Sequence, residues 1–278
     1  MDAETRARYE EWKWKRIKKR VIYPGIGLLV MLILLIFMIV SCTSNNSDEP
    51  TEDMYTEEPT ETEESIAEPE PIITGPRIYI LNSHPLEMIG STYSNLFEGD
   101  MSIIELSHIL AGHLESHGIE AVVEERCVDE RLTENNWGFY MSYYAARDFI
   151  LDAKAQYPSL EFFVDLHRDG IPHRYATAYI AGDYYAQILF VIGTDNPMGY
   201  HASYAVAREL HQILEEQRPG ISRGIFFSGG QSRDGVYSQD ISPMIQLIEL
   251  GTYSSTVEEV NRTVAVLAEV LAEYVGSQ

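Results

Sequence analysis

Cysteine is nearly absent: Cys42 and Cys127 are the only two among 278 residues, and a long charged stretch separates them. That excludes a disulfide framework and leaves stability to a packed core. Cys127, with no histidine close behind it, reads as a small core or loop residue rather than a nucleophile. Basic residues are also scarce, 20 Lys and Arg against 43 Asp and Glu, for a net charge of -23. This balance argues against nucleic acid as a partner and against adhesion to an anionic surface. Thr43 to Pro76 lacks Lys and Arg altogether and carries eleven Asp or Glu. Low hydrophobicity and charge of one sign predict a disordered, self-repelling acidic tether over 42–76.

Charge is missing altogether from Val21 to Val40, where only Tyr23, Pro24 and two glycines interrupt the apolar run. A bilayer span needs ~20 such residues, so a transmembrane anchor is expected over 21–41. Lys13, Lys15, Arg16, Lys18, Lys19 and Arg20 precede it. They predict a basic cytoplasmic tail over 1–20, with the bulk of the chain outside the cell membrane after a single pass. Ile39-Val-Ser-Cys42 also fits a lipoprotein signal, in which Cys42 is acylated after cleavage, so that route stands beside the uncleaved anchor.

The remaining segment, 77–278, has the length of one domain. Strand-like runs at 77–81, 119–123, 161–166, 176–181, 187–192, 224–228 and 244–250 alternate with helical spacing at 101–116, 138–157, 199–217 and 256–275. Gly118 is expected to close the first helix. Gly182-Asp-Tyr-Tyr185 reads as a turn between the two central strands. The alternation predicts an α/β domain of three-layer αβα type, with a mostly parallel sheet made mixed by a central hairpin.

Ligand-type residues cluster where apolar runs end: His84 and Glu87 after the first strand, Asp165, His167, Arg168 and Asp169 after another, and Glu249 in the last. Carboxyl ends of strands converge on the binding edge of such sheets. His84, Glu87 and His167 supply the two imidazoles and one carboxylate of a catalytic zinc shell, with a further position left for water. Glu105, at the start of the next helix, is the rival to Glu87. Asp165 or Asp169 would orient His167 through its second ring nitrogen. Glu249 costs desolvation inside an apolar run unless it pairs with Arg168 or Arg223 or acts as a proton shuttle. Arg168 is a candidate to stabilise an oxyanion. His108, His113, His117, His173, His201 and His211 read as structural or solvent-facing, although His173 could touch substrate.

The residues Ile78-Tyr-Ile-Leu-Asn-Ser-His-Pro-Leu-Glu87, Phe163-Val-Asp-Leu-His-Arg-Asp-Gly170, Gly193-Thr-Asp-Asn-Pro197, Arg218-Pro-Gly-Ile-Ser-Arg-Gly-Ile225, Tyr237-Ser-Gln-Asp-Ile-Ser-Pro243 and Leu247-Ile-Glu-Leu-Gly-Thr252 run through nearly all of 77–278. In order and spacing they resemble the stage II sporulation protein P family of cell-wall hydrolases from endospore-forming Firmicutes. The resemblance implies a zinc-dependent N-acetylmuramoyl-L-alanine amidase, in some members also cutting peptide cross-links. It implies action on peptidoglycan beside a partner lytic transglycosylase during engulfment. By position it makes His84 and His167 metal ligands and Glu249 the catalytic carboxylate, and it puts Asp195, Asn196, Tyr237 and Asp240 around the substrate groove. Three departures stand out: Asn82 replaces the first histidine of the usual His-Thr-His, Leu250 replaces a valine, and Met244 replaces an arginine. A zinc carboxypeptidase or endopeptidase acting on wall peptides, and a metal-free wall-binding scaffold, are the competing readings.

Overall fold

The computed structural model describes residues 75–90, 101–231 and 233–277. The expected cytoplasmic tail, anchor and nearly all of the tether lie outside them. No helix among the described residues is long and apolar enough to cross a membrane.

Six strands form the main sheet: β1 (Ile78–Leu81), β4 (Ala121–Val123), β5 (Phe162–Asp169), β8 (Ile188–Gly193), β9 (Ser222–Ser228) and β10 (Ile245–Thr252). Their order is β4-β1-β5-β10-β8-β9. β4, β1, β5 and β10 are parallel. β8 runs antiparallel to β10, and β9 follows β8 in parallel. Two small ribbons complete the strands: β2 (Met88–Ile89) with β3 (Met101–Ser102), and β6 (Thr177–Ile180) with β7 (Asp183–Ala186).

Among the described residues, five α-helices pack against the main sheet: α1 (Ile103–Ser116), α2 (Val128–Glu134), α3 (Ser142–Gln156), α4 (His201–Gln217) and α5 (Val257–Gly276). β1 is buried along its whole length, as a central parallel strand with both faces covered must be. Its alternate residues divide the core. Ile78 and Ile80 join α1, α4 and α5 on one face, while Tyr79 and Leu81 join α2 and α3 on the other. The three-layer expectation is met. The second face is covered unevenly, because α2 and α3 pack on Tyr79, Leu81, Phe163 and Ile245 and a cleft opens beyond them over β10, β8 and β9.

Local chemistry explains the element ends. Ser102 and Glu105 close a capping box at the start of α1, and Thr256 and Glu259 do the same for α5. Buried Ile103, Leu106, Leu110 and Leu114 make the inward stripe of α1. Gly118 ends it with φ +78°, a conformation that suits glycine.

Three expectations needed correction. The run 138–157 opens with a 3-10 turn, Phe139–Met141, before α3 begins. α2 was not anticipated, since only Val128 and Leu132 of its seven residues are buried and give little periodicity. The expected hairpin of 176–181 with 187–192 does not form: the second run enters the main sheet as β8, and the first stays outside it. β6 pairs with β7, which absorbs Asp183 to Tyr185, across a two-residue turn at Ala181 and Gly182 with positive φ at both. The main sheet is mixed because β8 is reversed.

Candidate metal centre

β1 delivers the chain to its carboxyl edge, where Asn82 anchors it. The Asn82 side-chain amide donates to the Leu166 carbonyl at 2.7 Å and its oxygen accepts from Ser107 Oγ at 3.0 Å. The residue that departs from the His-Thr-His pattern is thus a buried strut between β5 and α1. A turn comes next, closed by the Glu87 N–H on the His84 carbonyl. It curls His84 and Glu87 toward one point.

At that point His84 Nδ1 lies 3.4 Å from Glu87 Oε1, and His167 Nδ1 lies 3.5 Å from Glu87 Oε2. One donor atom from each of the three side chains falls within 4.8 Å of the others. Those contacts are long for hydrogen bonds, which prefer 2.7–3.2 Å. They suit donors around a shared ion: ligands ~2.0–2.1 Å from a tetrahedral zinc stand roughly 3.3 Å apart. Two imidazoles and a carboxylate are also a donor set that zinc accepts.

His167 is buried on β5, and its orientation is fixed from behind. Nε2 sits 3.0 Å from Asp165 Oδ1 and 2.9 Å from Ser83 Oγ, and the Ser83 N–H donates to the same carboxylate at 2.8 Å. With Nε2 engaged, Nδ1 is left facing Glu87. Burial opposes a charge on His167, but the Asp165 and Glu87 carboxylates outweigh it and hold its pKa well above the ordinary value. Burial likewise opposes charge on Glu87 and Asp165, and His167 reverses both, holding them low. His84 is wedged among rings: Phe139 stacks on it at 4.7 Å, with His167 at 4.7 Å and Tyr143 at 5.1 Å.

Arg168 belongs to Glu87 rather than to Asp169. Its N–H donates to Glu87 Oε2 at 3.0 Å, its Nε donates to the Met88 carbonyl, and a terminal nitrogen lies 3.8 Å from Glu87 Oε1. Asp169 is taken by Arg223 at 2.8 Å. Neither arginine pairs with Glu249. That carboxylate is a register partner of His167 across β10 and β5, and among the described residues its buried Oε2 has no hydrogen-bond partner. Burial pushes its pKa up to about 7; Glu87 and Asp169 add to the rise while His167 and Arg168 oppose it. Just beyond it the ladder slips, and Gly251 takes φ +65° with Ser255 and Ala186 too close for a Cβ.

Glu249 lines a cleft of about 520 Å³ with Tyr143, Tyr237, Leu189, Arg223 and Arg233. Of the other positions marked in the sequence, Glu105 is exposed and engaged in its capping box with Ser102. Asp240 pairs with Arg147, Asp195 accepts from the Gly230 N–H, and Asn196 accepts from the Met198 N–H. Only Tyr237 of the four groove positions lines the cleft. His173 contacts Glu259 at 2.8 Å, and His211 contacts Ser222 at 2.8 Å. Ser83, Phe139, Tyr143 and Arg233 were missed. Only Ser83, next to His84, carried a local signal; the others meet the site across long sequence separations.

A family model described as Stage II sporulation protein P (SpoIIP) matches residues 40–272. The chain belongs to the stage II sporulation protein P family. The Stage II sporulation protein P of Bacillus subtilis (strain 168) is 34% identical over 160 residues, which are 58% of this chain and 40% of that protein. The chain therefore matches less than half the length of this curated SpoIIP relative. Among solved structures, the amidase AmiC2 of Nostoc punctiforme is 14% identical with a TM-score of 0.42, covering 73% of this chain and 99% of that one. The CwlD amidase from Clostridioides difficile, solved in complex with the GerS lipoprotein, is also 14% identical, with a TM-score of 0.45 and coverage of 73% and 100%.

Proposed function

We propose that this SpoIIP-family chain is a zinc-dependent peptidoglycan hydrolase that cleaves the amide between N-acetylmuramic acid and the L-alanine of the stem peptide. The observation that carries this reading is the meeting of His84, Glu87 and His167 beside Glu249, whose buried oxygen has no partner among the described residues. His84, Glu87 and His167 hold the metal, and the engagement of Glu105 in its helix cap favours Glu87 as the carboxylate ligand. Zinc bound there supplies Lewis acidity, which polarises an amide carbonyl and acidifies water enough for attack near neutral pH.

The chain's own groups do the rest. Asp165 and Ser83 fix the His167 ring so that its other nitrogen faces the metal position. Glu249, with a pKa near 7, takes the proton from attacking water and passes it to the departing amide nitrogen. Arg168 holds Glu87 and contributes positive charge where the oxyanion develops. The anchor over 21–41 keeps this domain outside the cell membrane, and engulfment with a partner transglycosylase is the setting the family implies.

The test is digestion of peptidoglycan by the zinc-loaded full-length chain, with products read by mass spectrometry. Free stem peptides and peptide-free muramoyl ends are expected. Shortened stems on intact muramoyl groups would instead mean a carboxypeptidase or endopeptidase, and intact peptidoglycan with no zinc retained would mean a scaffold.

A further inference from the structure

Four strands place one row of residues across the edge of the sheet: His167 on β5, Glu249 on β10, Leu189 on β8, and the bulged stretch around Arg223 on β9. A second row, Leu247, Val191 and Phe226, lies two residues further from that edge on the same side. Together they floor a groove running away from the metal centre, with Tyr143 and Tyr237 as its wall. Arg233 closes its far end. The guanidinium lies 5.0 Å from the Phe226 ring centroid and donates to Ser228 Oγ at 3.2 Å. Among the described residues it forms no ion pair, unlike Arg223, which Asp169 already neutralises.

Resting on the amidase reading above, we propose that Arg233 is a carboxylate subsite, and that the groove holds the acidic peptide released by cleavage. The dimensions agree. Strands lie ~4.8 Å apart, so β9 stands roughly 10 Å from β10, and two residues along a strand add about 7 Å. The direct path from Glu249 to the Phe226 level is therefore roughly 12 Å, the reach of three to four residues of extended peptide. The charge agrees as well: an arginine without an acidic partner, in a chain with 43 acidic and 20 basic residues, faces the groove that Glu249 opens. Guanidinium groups recognise carboxylates through paired N–H donors. Leu189, Val191 and Leu247 take the apolar side chains between the two ends.

The probe is a muramoyl tetrapeptide made in two forms, with its terminal carboxylate free or converted to carboxamide. Binding to the zinc-loaded full-length chain carrying Glu249→Gln is measured calorimetrically, then repeated with Arg233→Gln and Arg233→Lys added. The expected result is about tenfold weaker binding of the amide, the scale of one lost charge-assisted contact. Arg233→Gln should erase that difference, and Arg233→Lys should keep part of it. Equal binding of acid and amide with Arg233 present overturns the subsite, as does a difference that survives Arg233→Gln. If Arg233→Gln binds neither form, loss of the difference in Arg233→Lys also overturns it. Release of free peptide by the Glu249→Gln background is a separate outcome that counts against the assigned base, while initial binding still judges Arg233.

Discussion

Glu249 and His167 stand opposite one another on adjacent parallel strands, one a carboxylate whose buried Oε2 has no hydrogen-bond partner among the described residues, the other an imidazole whose Nε2 is held by Asp165 and Ser83. The two depend on different neighbours. Asp165 and Ser83 immobilise the histidine, whereas burial, with His167, Glu87, Asp169 and Arg168 around it, sets the charge of the acid.

Glu249→Gln is expected to lower the rate of amide cleavage by about 10²–10⁴-fold, the usual worth of a positioned acid-base group. The same change should stabilise the metal-free protein at pH 8. A carboxylate whose folded pKa is raised contributes stability that is full below its ordinary 4.5 and is lost as pH rises through about 7. The glutamine has no such loss, so its advantage over wild type should grow from near zero at pH 4.5 to at most about 3 kcal/mol at pH 8. Denaturant melts at the two pH values check this, and a constant difference would contradict it.

Glu87→Ala and Glu105→Ala should separate cleanly. With Glu87 as the proposed ligand, the first should abolish zinc retention. The second removes half of a capping box and should cost about 1 kcal/mol of stability while leaving zinc content intact. Elemental analysis beside thermal melts tells them apart, and the reverse pattern would make Glu105 the ligand.

Asp165→Asn keeps an oxygen to accept the Ser83 N–H but removes the charge behind His167. Zinc affinity should fall by roughly 10–100-fold, the usual effect of losing such a support. Competition with a chromogenic chelator measures it. Unchanged affinity would reduce Asp165 to a packing group.

Zinc binding should release about one proton at pH 7. His167 is held protonated by Asp165 and Glu87 in the metal-free protein, and the metal requires neutral imidazole. Affinity should therefore rise with pH. Calorimetry in buffers of different ionisation enthalpy counts the protons, and a count of zero would show that His167 is already neutral.

The sequence disclosed the parts of this molecule that repeat a simple pattern. The apolar runs at 78–81 and 162–166, the stripe of α1 and the long amphipathic α5 could all be read from spacing. So could His84, Glu87 and His167, because each lies within or shortly after a buried apolar run. Direction and pairing could not. Nothing in 188–193 reveals that the strand runs against β10, and nothing at Asp183 to Tyr185 distinguishes a turn from a ribbon strand. Arg168 and Arg223 could each have paired with Glu249, and only the folded register gives one to Glu87 and the other to Asp169. Phe139 and Tyr143 reach the histidines from a helix start more than fifty residues away from His84, a distance that local patterning does not bridge.

The reversal of β8 has a consequence for how such a scaffold can diversify. Because β8 and β9 descend where β5 and β10 ascend, the connections after Gly193 and Ser228 emerge at the margin remote from His84 and His167. Asp195 laces those connections together through Gly230. On the proposed reading, lengthening or recharging them would alter what the groove accepts and leave His84, Glu87, His167 and Glu249 in place, so selectivity and chemistry would be separately adjustable.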